Sequence, residues 1–399
     1  MSSSRFSVIA AVALAAVLAA VLLVSQRAPE SEGSLLGEPV LPGLSERLND
    51  VTALRFSGAG GAPLVGLVRS GTVWTVVERH GHPAAADKVR LALINLAESR
   101  VLEPKTANPD RHAQLGVESL EGEGASGVLV EVESPGQADR MIIGNYAGQQ
   151  GEGTYVRRPD EARSLMASGN LVPEREPAAW LQRELLDIPS SQIREVELSG
   201  AAGGAVRVFK ESAAQENFTV ADLPRGRTVQ SAFVANGLAS TLSGLSLEDV
   251  ARDQGEAGPP SHSARYRLFD GRVVIVEGWH GGTDDAGNAA PSWATLKVEV
   301  DDQLARAAIV EQLQAEAAAA ADQQGATGEQ GQETAADGPD EVSDAALVLD
   351  EAAVAARLDT LHQEVAVLSE RFAGWRYQLP AFKFANLDKG LEDMLQPRD

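Results

Sequence analysis

The chain has 399 residues, 44% hydrophobic and 5% aromatic, enough for two or three domains whose cores rest on Val, Leu, Ile and Ala. A formal net charge of -23 excludes nucleic acid as a partner and disfavours anionic lipid surfaces, because phosphate binding rests on Lys and Arg. The absence of cysteine rules out structural disulfides, thiolate zinc sites, a Cys nucleophile and a lipidated Cys anchor.

Near the N-terminus, Phe6 to Val24 is an uninterrupted, uncharged and almost wholly apolar run. At about 1.5 Å per residue a helix over it spans roughly 28 Å, close to the thickness of a bilayer core. A cleaved signal peptide would have a shorter apolar region and a small-x-small cleavage site, whereas this run ends in Leu22-Leu23-Val24-Ser25-Gln26-Arg27. The expectation is therefore a transmembrane anchor over 1–27, single-pass in the inner (cytoplasmic) membrane. The N-terminus would lie in the cytoplasm and the C-terminal region outside it, with residues 28–47, rich in Pro, Gly, Ser and Glu, as a tether.

Two segments then resemble each other. Val51-Thr52-Ala53-Leu54-Arg55-Phe56-Ser57-Gly58 reads as a strand entering a turn, and so does Ile193-Arg194-Glu195-Val196-Glu197-Leu198-Ser199-Gly200. Each continues to an aromatic-Thr-Val strand, Trp74-Thr75-Val76 in one and Phe218-Thr219-Val220 in the other, and then to an amphipathic helix. The first helix, 84–98, carries Val89, Leu93 and Leu96; the second, 228–242, carries Val229, Phe233, Leu238 and Leu242. Strands at 128–132, 141–143 and 155–157 follow the first helix. Strands at 266–269, 273–276 and 293–300 follow the second, with Asp270-Gly271 as a strong hairpin turn. Strands clustered in this way predict α+β: an N-terminal transmembrane helix, two tandem copies of an antiparallel sheet-plus-helix unit (48–190 and 191–303), and a C-terminal amphipathic helix.

Trp180 to Ile188 reads as a short helix joining the copies. Residues 304–345 read as an acidic low-complexity linker, helical at first. From Ala307 to Ala356 there is no Lys or Arg against eleven Asp and Glu. In the last part, 346–399, Leu347, Val354, Leu358, Leu361, Val365, Leu368 and Phe372 make an apolar stripe at 3–4 spacing. That stripe fits packing on its own domain or a seam for self-association through the 347–372 helix. A strand at Trp375 to Pro380 and a short helix around Leu387 to Leu395 close the chain.

Candidate chemistry is sparse. Gly122-Glu123-Gly124-Ala125-Ser126-Gly127 fits G-x-G-x-x-G but precedes a strand instead of following one, the wrong context for a dinucleotide. His80 and His82 flank a Gly and precede a Pro, which marks a turn. His280 stands near Asp284 and Asp285 in a Gly-rich loop that could suit a hard cation, with too few ligands for a site. His112, His262 and His362 are isolated, and no P-loop, G-x-S-x-G, S-x-x-K or H-E-x-x-H occurs. No catalytic, cofactor-binding or metal residue and no cofactor is therefore assigned. Alternation assigns Trp74 and Trp293 to the cores.

Trp74, the helix entry from Pro83 to Arg100, Leu115-Gly116-Val117, Tyr155-Val156-Arg157-Arg158, the Trp180 to Ile188 connector and the closing Trp375-Arg376-Tyr377-Gln378-Leu379-Pro380 resemble the bacterial domain-of-unknown-function family numbered 4340. Ser119 and Leu120 stand where a Pro commonly follows the Leu-Gly step. The resemblance implies a membrane helix and an extracytoplasmic repeat domain, in genes often beside ABC-type transport systems, and no known activity. The expected function is a membrane-anchored extracytoplasmic binding or scaffolding protein with a protein partner, plausibly an ABC transporter. The alternative is an envelope enzyme or ligand-binding protein using a cleft between the two repeats.

Overall fold

The computed structural model describes residues 35–122, 124–148, 153–200, 204–255, 258–282, 290–327 and 350–397. The chain divides between Gln182 and Arg183 into two units, each with its own antiparallel sheet.

In the first unit the elements are β1 (Ala53–Ser57), β2 (Pro63–Ser70), β3 (Val73–Val76), β4 (His82–Pro83), α1 (Ala86–Glu98), β5 (Val101–Pro104), β6 (Val128–Ser134), β7 (Gln137–Tyr146), β8 (Gly153–Arg157) and β9 (Ser164–Ser168). The strands lie in the order β4-β3-β2-β1-β6-β7-β8-β9-β5. Alternation decides which face is buried: Val128, Val130 and Val132 of β6 point into the core, and α1 buries Val89, Leu93, Leu96 and Ala97.

The second unit contains β10 (Glu184–Leu186), β11 (Ile193–Ser199), β12 (Val206–Phe209), β13 (Thr219–Val220), α2 (Ala232–Ala239), β14 (Leu245–Ser246), β15 (Asp249–Arg252), β16 (His262–Leu268), β17 (Arg272–Trp279), β18 (Trp293–Val300), α3 (Asp302–Thr327), α4 (Glu351–Phe372), β19 (Trp375–Gln378) and α5 (Ala381–Leu387). Its large sheet has the order β13-β12-β11-β16-β17-β18-β19-β15. Apart from β4, which has no counterpart, this is the order of the first sheet again, with β11 in the place of β1 and β16 in the place of β6. The β16–β17 hairpin turns at Asp270-Gly271, where Gly271 has φ +90 and an added Cβ would stand 2.5 Å from Ala305. Any other residue there would be strained and would push α3 away.

Where the first unit joins β8 to β9 by a short loop, the second inserts α3, the acidic segment and α4 between β18 and β19. Asp350 caps α4, its Oδ1 accepting from the backbone N–H groups of Ala352 (3.0 Å) and Ala353 (3.2 Å). Val354, Val365 and Phe372 are buried while Leu358, Leu361 and Leu368 are half-buried, so the stripe packs on β18 and α3 of its own unit. Ser369 Oγ donates to the Val298 carbonyl at 2.6 Å and pins α4 to β18.

The fold class expected from the sequence needs correction. Among the described residues no helix is long and apolar enough to cross a membrane, and Phe6 to Val24 lies outside them. Two helices have the length, but α3 carries Asp302, Arg306, Glu311 and Glu316, and α4 carries Glu351, Arg357, Asp359, Glu364, Glu370 and Arg371. Each charge at a bilayer centre would cost about 2.5–3.5 kcal/mol on insertion scales. The architecture of the described residues is two large antiparallel sheets with helices, none of which is long and apolar enough to span a membrane.

Smaller differences have local causes. The connector expected as a helix is a 3-10 turn, Pro177–Trp180, followed by β10, which pairs with β14. Phe233 lies outside the buried face of α2 and is 84% exposed. Of the acidic segment, residues 328–349 lie outside the described residues.

Candidate functional site

Two places, one in each unit, have a shape or chemistry beyond what the fold requires. In the first unit a cavity of about 160 Å3 opens between α1, the sheet face and the segment after β9. Phe56, Leu96, Val130, Ile143 and Leu171 line it, with Trp180 at one side, 5.3 Å from Phe56 between ring centroids. The indole is fixed at both ends: its Nε1 donates to the Glu174 carbonyl at 3.0 Å, and Lys88 Nζ stands 5.0 Å over the ring while donating to the Ala179 carbonyl at 2.8 Å. Leu91, 58% exposed, is also in the lining, as is Val172, 43% exposed. Ligand pockets are usually about 300–1,000 Å3, so this one suits a single apolar side chain better than a cofactor.

In the second unit His262, His280 and Asp388 come together; they are the one group of metal-ligating type among the described residues. His262 opens β16 and pairs with Gly278 of β17, so His280, two residues on, stands on the same face. Asp388 is the C-cap of α5, a helix that packs on β16. Its Oδ1 is 3.0 Å from His262 Nε2 and 2.8 Å from His280 Nε2. Phe384 of α5 lies edge-on to both imidazoles, and an added Cβ on Gly278 would meet its ring at 3.0 Å. Only a glycine there lets the ring, and with it Asp388, come this close.

The electrostatics are uneven. His262 is buried, which pushes its pKa down; Asp388 acts in the opposite direction and His280 adds to the lowering. A carboxylate at the carbonyl end of a helix is disfavoured by the helix dipole, so Asp388 gains from any positive charge beside it. Neither His262 Nδ1 nor Asp388 Oδ1, both buried, has a hydrogen-bond partner.

The remaining histidines are placed separately. His80 sits in a left-handed turn conformation and His82 is buried in β4 with Nδ1 3.2 Å from the Pro83 carbonyl. His112 is buried in a helical turn, and His362 Nε2 contacts Asp302 Oδ1 at 2.8 Å on the helix pair. Asp284, Asp285 and Glu123 lie outside the described residues. Trp74, Trp180 and Trp375 are buried, whereas Trp293, assigned to the core by alternation, is half-exposed and pairs with Trp279 across β17 and β18. Arg157 is buried but structural: its guanidinium donates to the carbonyls of Val117, Arg158, Pro159 and Glu161, which fixes the β8–β9 loop.

The Tyr155 to Arg158 stretch and the Trp74 strand thus have structural duties in the first sheet, and the Leu115-Gly116-Val117 turn is tied to it through the Val117 carbonyl, which accepts from Arg157. Residues 74–268 match a family model, Domain of unknown function (DUF4340). The resemblance to DUF4340 is thereby shown over that span, which takes in most of the first sheet and runs to the end of β16. It includes His262 and stops short of His280 and Asp388. No curated protein and no solved structure matches the chain.

Proposed function

We propose that the chain is a binding or scaffolding protein that serves as an accessory to an envelope complex, an ABC-type transporter being the partner the family resemblance implies. The observation that carries the reading is the cavity under α1. It is apolar, open and of side-chain size, with a rigid Trp180 wall and exposed Leu91 and Val172 in its lining. Tight protein interfaces concentrate their energy where one anchor residue fills such a socket. What supports a place at the cytoplasmic membrane, with residues 28–399 on its outer side, is the apolar run Phe6 to Val24 in the sequence.

A photo-crosslinking residue at position 91 in intact cells is expected to capture a membrane protein. The same residue at Asp110, exposed on a turn of the same unit, is expected to capture none. Equal capture at both positions, or none at 91, would sink the reading.

A further inference from the structure

We infer that His262, His280 and Asp388 form a binding site for one divalent transition-metal ion. This goes beyond the partner-binding reading and does not depend on it.

The first support comes from the duplication. Ser57 pairs with Leu129 and Ser199 with Ser263, so aligning the two Ser-Gly turns sets Val128 of β6 against His262 of β16. Val128 pairs with Ile143 and His262 with Gly278, which sets Ile143 against Gly278. Beyond Ile143 the first sheet carries a β-bulge while β17 and β18 stay in register to Trp279, so the count is not carried on to His280. The first sheet therefore forms the same strand order with Val and Ile where the second has His and Gly. The fold does not require an imidazole at the position of His262. Both changes bear on one spot: one brings a donor, and the other makes room for the ring of Phe384 on the helix that delivers Asp388.

The second support is the geometry of the donors. In a hydrogen-bonded cluster the ring N–H groups would point at the carboxylate, yet Oδ1 accepts from neither Nε2 although it is 3.0 Å from one and 2.8 Å from the other. Donors that surround a common point behave in this way, because their lone pairs aim at the point and not at each other. With metal–ligand bonds of about 2.0–2.2 Å, neighbouring ligands of an octahedral ion stand about 3 Å apart and those of a tetrahedral ion slightly further. Both measured separations fall at the compact end of that range. Two imidazoles and one carboxylate suit zinc and its transition-metal neighbours better than calcium or magnesium, which take oxygen ligands. Phe384, buried against both rings, supplies the apolar wall that holds such ligands in orientation. Three protein ligands leave at least one position to water or to a group from a partner.

The test is calorimetric titration of the full, tag-free chain in mild detergent, stripped with chelator and then given Zn2+. One equivalent is expected to bind. His262→Val, which restores the first-sheet residue, His280→Asn and Asp388→Asn are each expected to weaken binding by about tenfold or more. His280 is half-exposed, so His280→Asn is expected to leave the unfolding midpoint in chelator unchanged and to separate loss of ligand from loss of fold. No zinc bound by the parent chain, or zinc bound as tightly by the triple variant, overturns the site.

Discussion

The two sheets have one strand order and opposite fates on the face beside their helix. In the first, the segment after β9 covers that face loosely, with Trp180 as its main contact, and leaves an apolar cavity beside Ile143. In the second, the segment after β19 is the helix α5, and Phe384 fills the space that Gly278 leaves. Duplication makes the comparison informative. What both copies keep, such as the alternation of β6 and β16, is what the sheet needs; what only one keeps is free to serve something else.

The comparison breaks most readily at Phe384. If its ring is the core plug of the second unit, Phe384→Ala should cost about 3–5 kcal/mol of stability, measured by denaturant unfolding of the chain. A loss below about 1 kcal/mol would mean that α5 is a surface appendage and the two faces are alike. A smaller effect sharpens the same contrast. Gly278→Ile, which installs the first-sheet residue, should overpack the ring and cost about 1–3 kcal/mol. It should also push Asp388 away from the imidazoles and so lower zinc affinity along with stability. Unchanged stability would show that the approach of Phe384 to the strand is not tight.

Much of the sheet was legible because period-two alternation and turn chemistry are local. Asp270-Gly271 announced the β16–β17 hairpin, and counting outward from that turn pairs His262 with Gly278 and puts His280 on the same face. Two of the three metal-type residues could have been joined by that count, although His262 reads as isolated along the sequence. Asp388 could not, because it arrives on a helix that follows the whole α3–α4 insertion, and nothing local ties it to β16. The same distance hid the role of Trp375–Gln378. It reads as a strand, yet its pairing with β15 and β18 is set by tertiary packing. The stripe on α4 was visible as a helix face; that it packs on β18 depends on long-range contacts such as Ser369 to Val298. Trp293 failed as a core assignment because the buried face of β18 is Ala294, Leu296 and Val298, and alternation puts Trp293 on the opposite face with Thr295 and Lys297. The expected spanning helix rested on Phe6 to Val24, and the long helices among the described residues are too charged for that part.

The central claim is that the second copy holds a metal site where His262 and Gly278 replace the Val128 and Ile143 of the first copy. X-ray absorption at the zinc edge of the zinc-loaded chain tests it most directly. The spectrum should show nitrogen and oxygen neighbours at about 2.0–2.1 Å with outer-shell scattering from two imidazoles, falling to one imidazole in His280→Asn. A first shell of oxygen alone, or imidazole scattering that His280→Asn leaves unchanged, would contradict it.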